Sequence, residues 1–263
     1  DARQKITRYP NESRSLNIAH YKGKMLNEIW GYETVGIAQS QQEMDSHLAS
    51  NKPSWGSSWS AGDIMYKDLN GDGVVNTGAN TVDNPGDRKI IGNSTPRYNF
   101  GLTLDAEWNG FDFSVFFQGV GKRDYWLSGP YFWGASGGMW QSAGFKQHWD
   151  FWRGENDPLG ANLKAYYPRA NFDGTKNQYV QSGYLQNAAY IRMKNIQLGY
   201  TLPKQWTSKA GLSSVRLYVS GDNLLTISDI TGIFDPETLG GDWGDGKLYP
   251  LCKTISVGLN VNF

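Results

Sequence analysis

The residues whose types and spacing are most plainly suited to chemistry lie in GDIMYKDLNGDGVVN, residues 62–76. Asp68, Asn70 and Asp72 take the first, third and fifth places of a calcium loop, with Gly73 at the sharp turn in sixth place. Val74 follows with the seventh-place backbone carbonyl, and Asn76 stands ninth. Hard oxygen donors on alternate residues of a curling backbone are what Ca2+ requires. The twelfth place, where a bidentate carboxylate would close the shell, is Ala79, and the next carboxylates, Asp83 and Asp87, come only after an insertion. Two readings stand: a calcium-ordered loop and a solvated Asp/Asn/Gly turn.

A second group is aromatic. Between Gly121 and Asn187 the chain carries Trp126, Trp133, Trp140, Trp149 and Trp152, with Tyr125, Tyr131, Phe132, Tyr166 and Tyr167 among glycines and polar residues. Aromatic residues at this density suit stacking on sugars or peptides, or contact with a partner, but they also pack long loops upon themselves, and packing is the favoured expectation. Other chemistry is thinly represented. Cys252 is the single cysteine, which leaves no disulfide framework and no CxxC motif. His20, His47 and His148 lack zinc-ligand spacing. No nucleophile, base and oxyanion donor assemble into a catalytic set, so no enzyme is expected. Lys and Arg number 25 and Asp and Glu 25, and this zero balance gives no reason to expect a nucleic-acid partner.

The elements that must position these groups are strands. Around Arg97 to Val120, Tyr98, Phe100, Leu102, Leu104, Ala106 and Trp108 alternate with polar residues. Asn109-Gly110 then supplies a two-residue hairpin turn, and Phe111, Phe113, Val115 and Phe117 resume the apolar set opposite Asp112, Ser114 and Gln118. Each arm is as long as a membrane-crossing strand, which needs about 9 to 11 residues. From Ala188 to Leu202 the apolar set changes phase, with Ile191 and Met193 on odd positions and Ile196, Leu198 and Tyr200 on even ones, which predicts a bulge at Lys194-Asn195. Val215, Leu217 and Val219 begin a further strand, and Ile255 to Phe263 form a last one. Two weaker strands are expected, one whose end lies within residues 1–23 and is followed by a connection, and one over Lys24 to Ile37, with a short helix starting at Ser40, where Ser40 and Glu43 form a Ser-x-x-Glu pattern. No apolar run is long enough for a transmembrane helix.

Set end to end, these strands have short connections at one rim (Asn109-Gly110 and about 203–214) and long ones at the other (38–96, 121–187 and 226–250). That asymmetry describes an outer-membrane barrel with its short side periplasmic. The fold expected is therefore all-β: an antiparallel transmembrane β-barrel segment with long extracellular loops and short periplasmic turns. It is incomplete as given, since about seven strands fall short of the roughly eight in the smallest barrels. The alternative is a soluble secreted β module in which aromatic loops grip carbohydrate and DLNGDG orders a calcium site.

Three blocks, GDIMYKDLNGDGVVN with DRKIIGNSTPRYNFGLTLDAEWNGFDFSVFFQGVG, YIRMKNIQLGYTLPKQW with AGLSSVRLYVSGDNLLTIS, and the closing YPLCKTISVGLNVNF, resemble the SusC/RagA-like family of TonB-dependent outer-membrane transporters of Bacteroidota. The resemblance touches most of the chain from about residue 24 onward. It implies that residues 1–263 are the carboxy-terminal portion of such a barrel, with the plug domain, the TonB-contacting segment and the amino-terminal strands absent. It further implies import of a glycan, peptide or other nutrient, a SusD-like surface lipoprotein as partner, TonB as partner of the absent part, and outer-membrane lipid around the wall. In the family the calcium-like loop closes with Asp-Arg; here Asp87-Arg88 looks like that closure, displaced by the insertion Thr77 to Gly86.

Overall fold

The structure, a computed structural model, describes residues 3–134, 144–171, 175–240 and 248–263. The described residues divide into two compact units: a sheet unit of residues 96–123, 187–240 and 248–263, and a loop unit of residues 3–95, 124–134, 144–171 and 175–186.

The loop unit opens with short strands: β1 (Glu28–Tyr32), β2 (Thr34–Ile37), β3 (Lys52–Pro53), β4 (Ile64–Tyr66), β5 (Val74–Val75) and β6 (Arg88–Asn93), with helix α1 (Gln41–Leu48) between β2 and β3. They pair two by two, β1 with β6, β2 with β4 and β3 with β5. The expected helix start holds: the Ser40 hydroxyl accepts from the Glu43 N–H at 3.1 Å, while the Glu43 carboxylate accepts from the Gln39 N–H at 2.6 Å. Met44 turns inward against Ala38 and Met65.

The two weaker strand expectations need correcting. Residues 3–23 contribute only isolated bridges, Lys5 with Met25 and Ser15 with Thr81, and residues 24–37 divide into β1 and β2, which belong to the loop unit and not to the large sheet. The physical reason is the interrupted alternation here. The N–H of Tyr32 goes to the carbonyl of Val180, and the β2–β4 register slips between Thr34 and Gly36, so neither piece presents a continuous ladder.

The sheet unit begins with β7 (Arg97–Trp108) and β8 (Phe111–Lys122). After the two-residue strands β9 (Asp124–Tyr125) and β10 (Gln186–Asn187) come β11 (Tyr190–Thr201), β12 (Ser214–Ser228) and β13 (Thr254–Asn262). The five long strands form one antiparallel sheet in the order β13-β12-β11-β8-β7. Asn109 and Gly110 both have positive φ, 48° and 84°, which closes the β7–β8 hairpin in two residues. The β11 ladder shifts register between Met193 and Asn195 against both neighbours, placing the bulge where the apolar phase changes.

One face of this sheet is apolar and uncovered: Leu102 and Leu104 on β7 are each half exposed, and Val257 on β13 is 79% exposed. Such surface belongs against hydrocarbon. The other face carries Asp112, Asn195, Arg216 and Asp222, but also Phe116, which the alternation leaves on the polar side and which lies beneath Gly101. A row of directly opposed residues, Asp112, Gly199, Tyr218 and Gly258, crosses β8, β11, β12 and β13. The Arg216 guanidinium binds the Asp112 carboxylate over Gly199 and lies 5.0 Å from the Tyr218 ring centre, while that ring covers Gly258. On the apolar face Phe100 covers Gly119 in the same manner.

Candidate functional site

The acidic loop of residues 68–76 is shaped by its own carboxylates. The Asp68 carboxylate accepts from the N–H groups of Asn70 and Gly71 at 3.0 and 2.7 Å through one oxygen and from Gly73 at 2.7 Å through the other. Asp72 accepts from Val74 N–H at 2.8 Å, and the Asn70 side-chain oxygen from Asp72 N–H at 2.9 Å. Glycine is required at positions 71 and 73, whose φ values are 80° and 83°. Asp87 closes the loop. Fully buried, it accepts from Leu69 and Asn70 N–H through one oxygen and from Asn76 N–H at 2.7 Å through the other. Its own N–H returns to the Asn76 carbonyl at 3.0 Å, so the insertion Thr77 to Gly86 begins and ends at one place. Asp83 is taken elsewhere, by Arg14 at 2.8 Å.

The structure thus gathers Asp68, Asn70, Asp72, Val74, Asn76 and Asp87 into one turn. Slight burial opposes ionisation of Asp68, yet the N–H groups of Gly73, Gly71 and Asn70 and the adjacent Asp87 carboxyl hold its pKa below the usual carboxylate value. The oxygens fit a hard cation in kind, since the Asp68 and Asp87 oxygens that accept from Gly73 and from Asn76 each keep a lone pair beyond that single N–H partner. Among the described residues no three His, Cys, Asp or Glu side chains gather as a metal cluster, so any cation here would rely on amide and carbonyl oxygens as well.

The tryptophans separate by environment. Trp133 is 8% exposed, its indole N–H donates to the Leu127 carbonyl at 3.1 Å, and its ring meets Trp126, Phe132 and Tyr184, so it packs the loop from within. Trp149, 60% exposed, shares with Trp133, Phe145 and Tyr167 the lining of a cavity of about 340 Å3. Trp152 lies against Gly62 and donates to the Gln39 side chain at 3.2 Å. Trp140 lies outside the described residues.

What holds these loops together was not foreseen from the sequence. Asp63, fully buried, receives Arg169 at 2.9 Å, Lys176 at 2.7 Å, Asn177 at 2.9 Å and the Ser60 N–H at 2.9 Å. Burial alone would raise its pKa; the Arg169, Lys176, Asn177 and Ser60 hydrogen bonds outweigh it and the pKa falls. Nothing in local spacing relates Asp63 to residues more than a hundred positions away.

No family model matches the sequence. Among curated proteins, a TonB-dependent receptor of Formosa agariphila is 30% identical over 258 residues, covering 92% of this chain and 22% of the relative. The TonB-dependent receptor SusC of Bacteroides thetaiotaomicron is 26% identical over 201 residues, 76% of this chain and 17% of SusC. Among solved structures, a RagAB peptide transporter matches 92% of the chain at a TM-score of 0.58 and 20% identity, and a RagAB peptide importer in the open-open state matches 97% at 0.61 and 22%. The chain belongs to the SusC/RagA-like family of TonB-dependent receptors. It spans 17 to 24% of the length of these relatives. Within this family the five-stranded sheet is a segment of an outer-membrane barrel wall, its apolar face toward lipid and its polar face toward the lumen. The acidic turn and the tryptophan-rich stretch belong to the long connections.

Proposed function

We propose that this chain is the carboxy-terminal portion of a transporter that imports a nutrient across the outer membrane, contributing barrel wall and extracellular loops and performing no covalent chemistry. One observation carries the reading. The sheet leaves Leu102, Leu104, Val257 and Leu259 of its apolar face exposed while Arg216, Arg192 and Lys194 on the opposite face pair with Asp112, Asp235 and Glu237, a pattern that suits a wall between lipid and a polar lumen and not a soluble module. The names of the relatives, receptors that depend on TonB, support uptake driven through a part of the protein beyond this chain. Binding at the outer face would precede passage through the lumen.

A SusD-like surface lipoprotein is the partner of this proposal, because the similar solved structures are of RagAB assemblies and because the 124–186 connection exposes Tyr131 and Trp149, residue types that form interface centres. Calcium is its cofactor, held by Asp68, Asn70, Asp72, the Val74 carbonyl, Asn76 and Asp87; when bound it supplies charge neutralisation for the Asp68–Asp87 pair and nothing else. Deleting the gene of the intact protein in its native host, and purifying the protein through a tag in mild detergent, tests the reading. Loss of growth on one nutrient and recovery of a stoichiometric lipoprotein are expected. Unchanged growth on every nutrient, with the protein recovered alone, would overturn it.

A further inference from the structure

Residues 3–26 hold six lysines and arginines against one carboxylate, Glu12, in a chain whose overall charge is balanced. The fold gathers these cations. The Ile6 N–H donates to the Lys24 carbonyl at 2.9 Å, the Gly23 N–H to the Ile6 carbonyl at 2.8 Å and the Leu26 N–H to the Gln4 carbonyl at 2.8 Å, so the stretch that carries Lys5 and Arg8 runs beside the one that carries Lys22 and Lys24. Lys5, Arg8 and Lys22 are exposed, and among the described residues no hydrogen bond or ion pair engages their side chains. Lys24 gives a single bond, to the Ala19 carbonyl at 2.7 Å. The neighbouring carboxylates are occupied elsewhere: Glu28 accepts from the Tyr21 hydroxyl, from the Trp30 indole N–H at 2.9 Å and from the Met25 N–H at 3.1 Å, and Asp83 pairs with Arg14.

Two further observations say what kind of anion this cluster meets. The first is its anchorage. The Asn93 side-chain amide and the Thr95 hydroxyl donate to the Leu26 carbonyl at 2.8 and 3.2 Å, and the Ser94 N–H donates to the Asn27 carbonyl at 2.9 Å. Thr95 stands two residues before β7, so the basic stretch is rooted where a wall strand begins, at the rim from which the long connections leave the membrane. The second is composition: Tyr9 and Ile18, in the same stretch, are exposed. A soluble polyanion calls for charge alone. Cations interspersed with an aromatic ring and a branched apolar side chain suit a membrane surface, where headgroups take the charge and the interface takes the apolar groups.

We propose that residues 3–24 dock on phosphate-bearing lipid headgroups of the outer leaflet, with Lys5, Arg8, Lys22 and Lys24 against phosphate and Tyr9 and Ile18 entering the interface. The assignment rests on the barrel wall alone and stands whether or not a nutrient is imported. The full-length protein, purified in detergent and stripped of bound lipid, is titrated with fluorescent diphosphoryl lipid A, with the same lipid after removal of its phosphates, and with heparin as a soluble polyanion. Lipid that merely coats the wall binds in both lipid forms, so the preference for the phosphorylated one isolates the headgroup contact. The triple variant Lys5→Gln, Arg8→Gln, Lys22→Gln removes charges that hold nothing in the fold, and Lys5→Arg, Arg8→Lys, Lys22→Arg keeps them. A cation near an anionic surface is worth about fivefold in affinity, so the neutral variant loses about a hundredfold of the preference, the charge-keeping variant loses none, and high salt abolishes the preference of the unmutated protein. Equal affinity of the unmutated protein for both lipids, a preference that the neutral variant retains in full, or heparin bound more tightly than lipid A and lost in the neutral variant would each overturn the assignment.

Discussion

Gly199 is the position where the barrel wall can be tested most directly. An ideal Cβ there would sit 2.5 Å from the Arg216 Nη2 and 2.7 Å from its Nε, and closer still to the Asp112 carboxylate. Gly199→Ala must therefore displace the ion pair that crosses β11. The pair is partly exposed, with side chains 23% and 29% accessible, so its loss costs only about 0.2–1 kcal/mol. Forcing a methyl against groups that resist moving adds strain of about 1–3 kcal/mol. A total near 2 kcal/mol is expected in the urea unfolding of the intact barrel in detergent, followed by tryptophan fluorescence. The decisive comparison is a cycle. In a background carrying Asp112→Ala and Arg216→Ala, the obstacle is gone, and Gly199→Ala becomes neutral or slightly stabilising, because alanine loses less backbone freedom than glycine. If Gly199→Ala costs the same in both backgrounds, the glycine is not there to let the ion pair pass, and the reasoning fails.

Other expectations follow from the same structure. Leu259→Arg, on the apolar face of β13, lowers folded yield in outer-membrane fractions, since Arg near the midplane costs about 2–4 kcal/mol, and Val257→Asp lowers it by less; Asn260→Asp on the opposite face is tolerated, and equal yields for all three would show that the faces are misassigned. Asp68→Ala and Asp72→Ala loosen residues 63–96 without unfolding the sheet, seen as new protease cleavage that chelation reproduces in the unmutated protein; cleavage indifferent to chelation would mark a turn that needs no metal. The folded pKa of Asp63 lies below its unfolded value, so its contribution is present above the unfolded carboxylate value of about 3.9 and disappears as pH falls through the lower folded one. Limited proteolysis of the 38–66 and 169–177 segments is accordingly unchanged between neutral pH and about pH 5 and rises only in stronger acid; Lys176→Met, which leaves the buried carboxylate with one cation fewer, moves that rise upward in pH.

The sheet was legible because its signals are local. Asn109-Gly110 names its own turn type, and the change of phase after Met193 locates the bulge, since an added residue is the economical way for a strand to exchange its faces. Ser40 and Glu43 marked the start of α1 for the same reason. The loop unit was less legible because it is held by contacts distant in sequence: Asp63 with Arg169 and Lys176, Tyr66 with Gln181, Trp152 beneath Gly62. Residues 24–37 looked like a weak wall strand because composition alone cannot distinguish a strand that joins a large sheet from two that pair inside a loop. Asp87 was a candidate among two; only the folded insertion shows that its carboxylate, and not that of Asp83, reaches the turn.

Consider finally the row in which Arg216 and Tyr218 pass over Gly199 and Gly258. Long side chains on the inner surface of a tube ordinarily stand up like bristles and narrow the bore. Here the glycines act as troughs, letting a guanidinium and a phenol recline along the wall. Both side chains thereby lie close to the sheet without being shortened. What this face presents is the flat side of a ring and the back of a neutralised ion pair, a smooth and weakly adhesive surface.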